Sequence, residues 1–415
     1  MKNTQIEWIG YIPDDWEVKP ISSCFKERNE KVSDYEWEPL SVTKQGIVKQ
    51  LETAAKSDAH DARKKVCKND FVINSRSDRK QSCGVSAYDG SVSLINIVLE
   101  NKKLNSKFVN YLLKNYGFAE EFYRYGSGIV ADLWSTNYQK MKKIMIPIPP
   151  NDEQEKIAGF LDEKILEIDN VIEKTKETIE DYKKYKQSII TEIMCIGINA
   201  NVEMKNSNIE HVGKVPASWN MTKIKYISNV NPQNSIMLKD EDMVTYTPME
   251  CIKNGYYIPN YGIWKNNSSS YNTYIEDDIV MAKVTPCFEN GNIAIMNNLK
   301  NKVGYGSSEL IVFRKKENIL NEYLLLLLQT EIFKKKCIAT MTGTGGLKRV
   351  SNEFIKIYSF YIPSITEQQK IVDYLNKKIE KIMELIKKKE KIVEDLEEYK
   401  KSLIYEYVTG KKQVI

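Results

Sequence analysis

Apolar side chains recur in steps of mostly three and four along one stretch of the chain: Ile157, Leu161, Ile165, Ile168, Ile172, Ile179, then Ile189 and Ile193. That period is a heptad seam and predicts one long helix over 151–196. Adding 214 to each number gives Ile371, Leu375, Ile379, Ile382, Ile386, Val393, then Leu403 and Tyr407. Leu396 extends the second series, opposite Tyr182 of the first. The polar interruptions repeat as well, Thr175 with Lys389 and Lys186 with Lys400. A second long helix is therefore expected within 363–415. Asp152 and Thr366 are the expected N-caps, with Glu155 and Gln369 three residues later. A helix of about 40 residues is about 60 Å long and needs a partner along its length. The partner the sequence offers is the other copy, running antiparallel if the repeats are related by a pseudo-two-fold axis.

The remaining sequence is patterned as mixed α and β. Phe71–Asn74, Leu94–Leu99, Ile279–Ala282 and Leu310–Phe313 are short apolar runs that predict strands. Asn105–Tyr116 and Asn321–Cys337 predict helices. Segments outside the helices also repeat in order. Ile6-Glu7-Trp8-Ile9-Gly10-Tyr11-Ile12-Pro13-Asp14-Asp15-Trp16 returns as Ile209-Glu210-His211-Val212-Gly213-Lys214-Val215-Pro216-Ala217-Ser218-Trp219. Asp70-Phe71-Val72-Ile73 returns as Asp278-Ile279-Val280-Met281, and Gly126-Ser127-Gly128 as Gly343-Thr344-Gly345. Collinear matches with a drifting offset are the mark of a duplicated unit with loop insertions. The expected fold class is α+β: two α/β-mixed domains (1–150 and 197–362), each followed by a long helix (151–196 and 363–415), the helices pairing as an antiparallel coiled coil.

Composition adds exclusions. The chain has 415 residues with 42% hydrophobic and 28% charged side chains, which excludes a disordered chain. Two histidines, His60 and His211, and seven scattered cysteines without a CxxC pair disfavour a zinc site and predict reduced thiols. The first residues carry no apolar signal segment, and the Leu324–Leu328 run is too short to cross a membrane, so a cytoplasmic protein is expected. The net charge is only +5. Residues 1–150 hold 23 basic and 19 acidic side chains, and residues 197–362 hold 19 and 15, whereas 151–196 hold 7 and 12. The positive excess lies on the domains, where a polyanion would need it.

Candidate binding residues cluster around the two Asp-initiated strands and the glycine loops. In the first domain these are Lys44, Arg76, Arg79, Lys80 and Ser127. In the second they are Lys283, Thr285, Asn290, Thr344, Lys348 and Arg349. Arg and Asn can grip base edges, Lys and Ser can hold phosphates, and glycine loops bring backbone N–H groups close. Catalytic signatures are missing. Neither Ile148-Pro149-Pro150-Asn151 nor Asn231-Pro232-Gln233-Asn234 fits a DNA methyltransferase tetrapeptide, and no P-loop is present. Asp277 and Asp278 would be the carboxylates of a metal nuclease, but their place at a strand start favours a structural turn.

The chain resembles the specificity (S) subunits of Type I restriction-modification systems. The resemblance rests on the two I-E-x-[IV]-G-x-[IV]-P-x-x-W segments and on two Pro-x-x-x-Glu-Gln helix starts, Pro149–Ile157 and Pro363–Ile371. Thr285-Pro286-Cys287-Phe288-Glu289-Asn290-Gly291 also resembles a target-recognition-domain signature, and Ser75-Arg76-Ser77-Asp78-Arg79 replaces it in the first half. The resemblance implies a non-catalytic DNA-binding subunit. Two target-recognition domains would read the halves of a bipartite asymmetric site, and the helices would set the gap and dock two methyltransferase (M) subunits. Restriction (R) subunits would join that core. It implies no cofactor or metal in this chain, with S-adenosylmethionine, Mg and ATP on the partners. The alternatives are a standalone coiled-coil protein that bridges DNA and, more distantly, the Asp277/Asp278 nuclease.

Overall fold

The computed structural model describes residues 1–50, 62–128, 134–199, 201–209, 212–233, 238–239, 241–264, 271–344 and 346–414. His60, Glu210, His211 and Gly345 lie outside them. Two helices dominate: Asn151–Ile196, 46 residues, and Ile365–Val408, 44 residues. Each begins slightly before the expected cap. Asp152 and Thr366 sit inside the first turn, and in the second helix Ser364 Oγ accepts the Glu367 N–H at 3.3 Å. Contacts divide the chain into two compact units that cut across these helices. The first is Met1–Lys176 with Glu390–Ile415, and the second is Glu177–Lys389.

The first unit is built around a four-stranded antiparallel sheet in the spatial order Cys83–Val85, Phe71–Asn74, Asn96–Asn101, Phe25–Glu27. Phe71, Val72 and Ile73 are buried on both faces, which is why this strand reads as a continuous apolar run. Helices Ser106–Lys114 and Tyr116–Arg124 follow it, and Phe108, Leu112, Phe118 and Phe122 pack into the main core. That core extends to the long helices through Ile157, Leu161, Ile168 and Ile172 on one and Leu403 and Val408 on the other. The pairing is antiparallel. Phe160 meets Tyr407 at 4.6 Å between rings, Asp169 takes Lys400 at 2.7 Å and Glu397 takes Lys176 at 3.3 Å. As one residue number rises the other falls. Thr175 occupies its seam position buried, its hydroxyl donating to the Val171 carbonyl at 2.7 Å.

The second unit repeats the sheet: Ser228–Val230, Leu310–Lys315, Ile279–Ala282, Ile293–Ile295 in spatial order, again antiparallel. The flanking two-stranded pairs repeat too, Glu17–Pro20 with Met145–Ile148 and Asn220–Lys223 with Ser359–Ile362. The segment 321–337 is two helices and not one, Asn321–Leu328 and Glu331–Ala339. The break is made by Thr330, whose hydroxyl donates to Leu327 O and caps the second helix at the Phe333 N–H. Among the seam residues of this unit, Ile179, Ile371, Leu375, Ile382 and Ile386 are buried and Ile379 is half-buried. Ile165, Val393 and Leu396, in the first unit, pack partly buried against its core.

The units diverge in their remaining strands. The first has a three-stranded sheet (Gly90–Ser93, Arg63–Val66, Lys31–Val32) and a hairpin, Leu40–Thr43 with Gly46–Lys49. The second has a four-stranded sheet in which Met243–Thr247 pairs parallel with Val303–Ser307.

Candidate nucleic-acid interface

Each unit carries one candidate site, assembled where the buried Asp-initiated strand leaves the sheet. In the first unit Asp70 anchors that strand. It accepts from Arg28 Nε at 2.7 Å and from the Cys67 N–H at 2.8 Å. In the second unit Asp278 accepts from Arg314 at 2.7 and 2.8 Å and from the Ile275 N–H at 2.9 Å. Asp278 is therefore committed to a buried ion pair, and Asp277 lies in a left-handed turn at φ 68°. No group of three or more potential metal ligands occurs among the described residues.

At the strand exits the two units make the same backbone bonds. Thr136 N–H donates to Ser75 O at 3.0 Å, as Val350 N–H donates to Lys283 O at 2.9 Å. Ser77 N–H donates to Trp134 O at 2.8 Å, as Thr285 N–H donates to Lys348 O at 3.0 Å. Ser127 and Ser135 exchange bonds at 3.1 and 3.2 Å, as Thr342 and Arg349 do at 3.1 and 2.8 Å. The register equates Ser127 with Thr342, two residues before the Thr344 of the motif match. Trp134 corresponds to Lys348, and Ser135 to Arg349.

These bonds bring several candidates together. In the first unit Arg76, half-buried, and exposed Arg79 flank Asp78 at 3.5 and 3.8 Å. Lys80 reaches Glu120 at 3.2 Å, and Lys140 donates to Ser127 Oγ at 2.8 Å. The exposed ion pairs among these are worth roughly 0–1 kcal/mol each. In the second unit Lys348 is exposed and Lys283 half-buried. Arg349 is held by Glu309 through a bidentate pair at 2.8 to 3.0 Å. The Arg349 bonds keep the Glu309 carboxyl below the ordinary range despite its partial burial.

Other candidates stand apart in role or place. Thr285 is buried, its hydroxyl donating to Gly346 O at 2.8 Å and accepting the Lys348 N–H at 3.0 Å, so it clasps the glycine loop. Asn290 is exposed at the end of the turn following Pro286, and Thr344 is exposed in the loop itself. Lys44 is exposed in the turn between the Leu40–Thr43 and Gly46–Lys49 strands.

The Pro-x-x-x-Glu-Gln motif acquires a physical role. Glu153 accepts the Trp16 indole N–H at 2.8 Å, and Glu367 accepts that of Trp219 at 3.1 Å. Buried Gln154 accepts the Asn105 N–H at 2.9 Å and donates to Pro149 O at 2.9 Å. Buried Gln368 does the same for Leu320 N–H at 3.0 Å and Pro363 O at 3.1 Å. The motif therefore latches the start of each long helix to the domain before it. Sequence reasoning missed Trp134 and the arginines Arg28 and Arg314. The offset of 214 that matched the helices would have placed Trp134 opposite Lys348.

A model of the Type I restriction modification DNA specificity domain matches residues 13–181 and again 216–395. The chain belongs to this family. The duplication visible in the paired sites is thus a duplication of the DNA specificity domain itself. The chain is 31% identical to the EcoAI specificity subunit of Escherichia coli over 232 residues, which is 55% of this chain and 36% of that protein. It is 25% identical to the MjaVIII specificity subunit of Methanocaldococcus jannaschii over 342 residues, 78% of this chain and 74% of that one. Solved structures share the fold at low identity. A chain from a structure described as concerning complex assembly and conformational transition of the type I R-M system superposes with a TM-score of 0.71 at 11% identity, covering 97% of this chain and all of that one. The HsdS subunit from Thermoanaerobacter tengcongensis gives 0.54 at 13%, covering 99% and 100%. Among the described residues no helix of this family member is long and apolar enough to cross a membrane.

Proposed function

We propose that this specificity subunit reads a bipartite, asymmetric sequence in double-stranded DNA and directs two methyltransferase subunits, and through them restriction subunits, to it. The chain itself is non-catalytic and holds no cofactor; S-adenosylmethionine, Mg and ATP act on the partners, in the cytoplasm. One observation carries the reading. Two sites share one backbone frame and present different side chains, Trp134 and Ser135 in one and Lys348 and Arg349 in the other. Equal frames with unequal chemistry are what reading two different half-sites requires. The two long helices set the unread gap, since half-site spacing follows protein geometry.

The test is selection of bound duplexes from a random library by the chain complexed with its methyltransferase subunits. Two short conserved blocks separated by a fixed unconserved gap are expected. Tight binding by the chain alone, equal on all sequences, would instead favour a DNA-bridging protein.

A further inference from the structure

We infer that Trp134 is a specificity-determining residue of the first reader, contacting a base edge, at the place where the second reader uses Lys348 on a phosphate. The inference rests on the DNA-reading function proposed above. The equivalence of the two positions comes from the shared hydrogen bonds of Ser77 to Trp134 O and of Thr285 to Lys348 O. Each residue immediately precedes a bridge residue, Ser135 or Arg349, that pairs antiparallel with the strand exit at Arg76 or Val284.

Trp134 is 39% exposed, whereas the other tryptophans are buried or half-buried. Its backbone is fixed on both sides, by the Ser77 bond and by the Ser127–Ser135 pair. The indole lines an open pocket of about 590 Å³ together with Asp78, Lys80, Glu120 and Arg124. Every cation of that pocket has a carboxylate at hand: Lys80 has Glu120 at 3.2 Å, and Arg124 has Glu7 at 2.8 Å. With Asp78 and Glu120 matching Lys80 and Arg124, the lining offers a phosphate no net positive charge. It is well suited to a base edge. An apolar surface fits the thymine methyl, and carboxylates accept from the exocyclic amino groups of cytosine. Lys348, by contrast, is exposed and unhindered at the rim of a glycine loop, where a point charge serves a phosphate.

The two assignments predict different signatures in the intact complex with methyltransferase subunits. Trp134→Ala should lower discrimination at one position of one half-site by about tenfold and leave the other half unchanged. Its dependence of log Kd on log salt should keep the wild-type slope. Trp134→Lys should lose the same discrimination and steepen the slope by about one. Lys348→Ala should preserve the selected sequence and make the slope shallower by about one. Binding selection and salt titration read both quantities, and unchanged assembly with the methyltransferase subunits reports that each variant folds. A Trp134→Ala complex with wild-type discrimination in both halves would overturn the inference while leaving the function standing. A wild-type complex that selects no sequence at all would overturn both.

Discussion

The indole N–H of Trp16 donates to the Glu153 carboxylate at 2.8 Å, joining the start of the first domain to the first turn of a helix 137 residues away. Burial holds the Glu153 pKa above its ordinary 4.5, with the indole bond opposing that shift. A raised carboxyl pKa contributes stability that is full below the unfolded value and is lost as pH rises through the folded one. Trp16→Phe removes the opposing bond. It should cost about 1–3 kcal/mol, steepen the loss of stability as pH rises above 4.5, and leave Glu153→Gln with the flattest profile. Urea unfolding between pH 4 and 7 measures all three.

Gln154 and Gln368 are buried, and each satisfies one backbone donor and one backbone carbonyl. Gln154→Ala should destabilise by about 2 kcal/mol, and Gln368→Ala by a similar amount. Amide hydrogen exchange should show the loss locally, at Asn105 in the first case and Leu320 in the second. Protection unchanged at those amides would mean that the glutamines do not latch the helix starts.

The buried carboxylates Asp70 and Asp278 are equivalent, but their arginines come from different strands. Arg28 follows the strand Phe25–Glu27, and Glu100, on the neighbouring strand, lies 3.7 Å from it. In the second unit the arginine is Arg314, which pairs with Asn229 in register. Its strand position matches that of Glu100, while Asn231 matches Arg28. Arg28→Asn should cost roughly 3–5 kcal/mol by leaving a buried charge alone. Adding Glu100→Arg recreates the second unit's arrangement and should recover at least half of that loss. Additive losses in the double-mutant cycle would contradict the equivalence.

Glu309 neutralises Arg349 at the edge of the second site. Its pKa is depressed by the Arg349 bonds, so its contribution to stability is present above about 4.5 and is lost as pH falls through the folded value. Glu309→Gln should free one positive charge for DNA. Non-specific affinity should rise at low salt, and the salt slope should steepen by about one. An unchanged slope would mean that Arg349 never faces the phosphates.

The long helices and the duplication were legible because both are local patterns, a heptad period and collinear motifs. Phe71–Asn74 and Ile279–Ala282 were legible for the same reason, as short buried apolar runs. The helix break at Gln329–Thr330 was not, since it depends on a hydroxyl choosing between continuing and capping. The paired sites were only half legible. Arg76 and Lys348 stand near motifs that mark them, but the bonds that equate Trp134 with Lys348 join segments about sixty residues apart. Nor did the sequence show that the Thr285 hydroxyl fastens the glycine loop, since its partners Gly346 and Lys348 lie about sixty residues away.

The proposed function requires two unlike readers in one chain to define one split DNA target for a methyltransferase. The most direct measurement is single-molecule sequencing of DNA from a methylation-free host expressing this chain with its methyltransferase subunits. One bipartite, non-palindromic N6-methyladenine motif is expected, present with the wild-type chain and degenerate in a single half with Trp134→Ala. A palindromic motif, or no methylation that depends on this chain, would contradict that function.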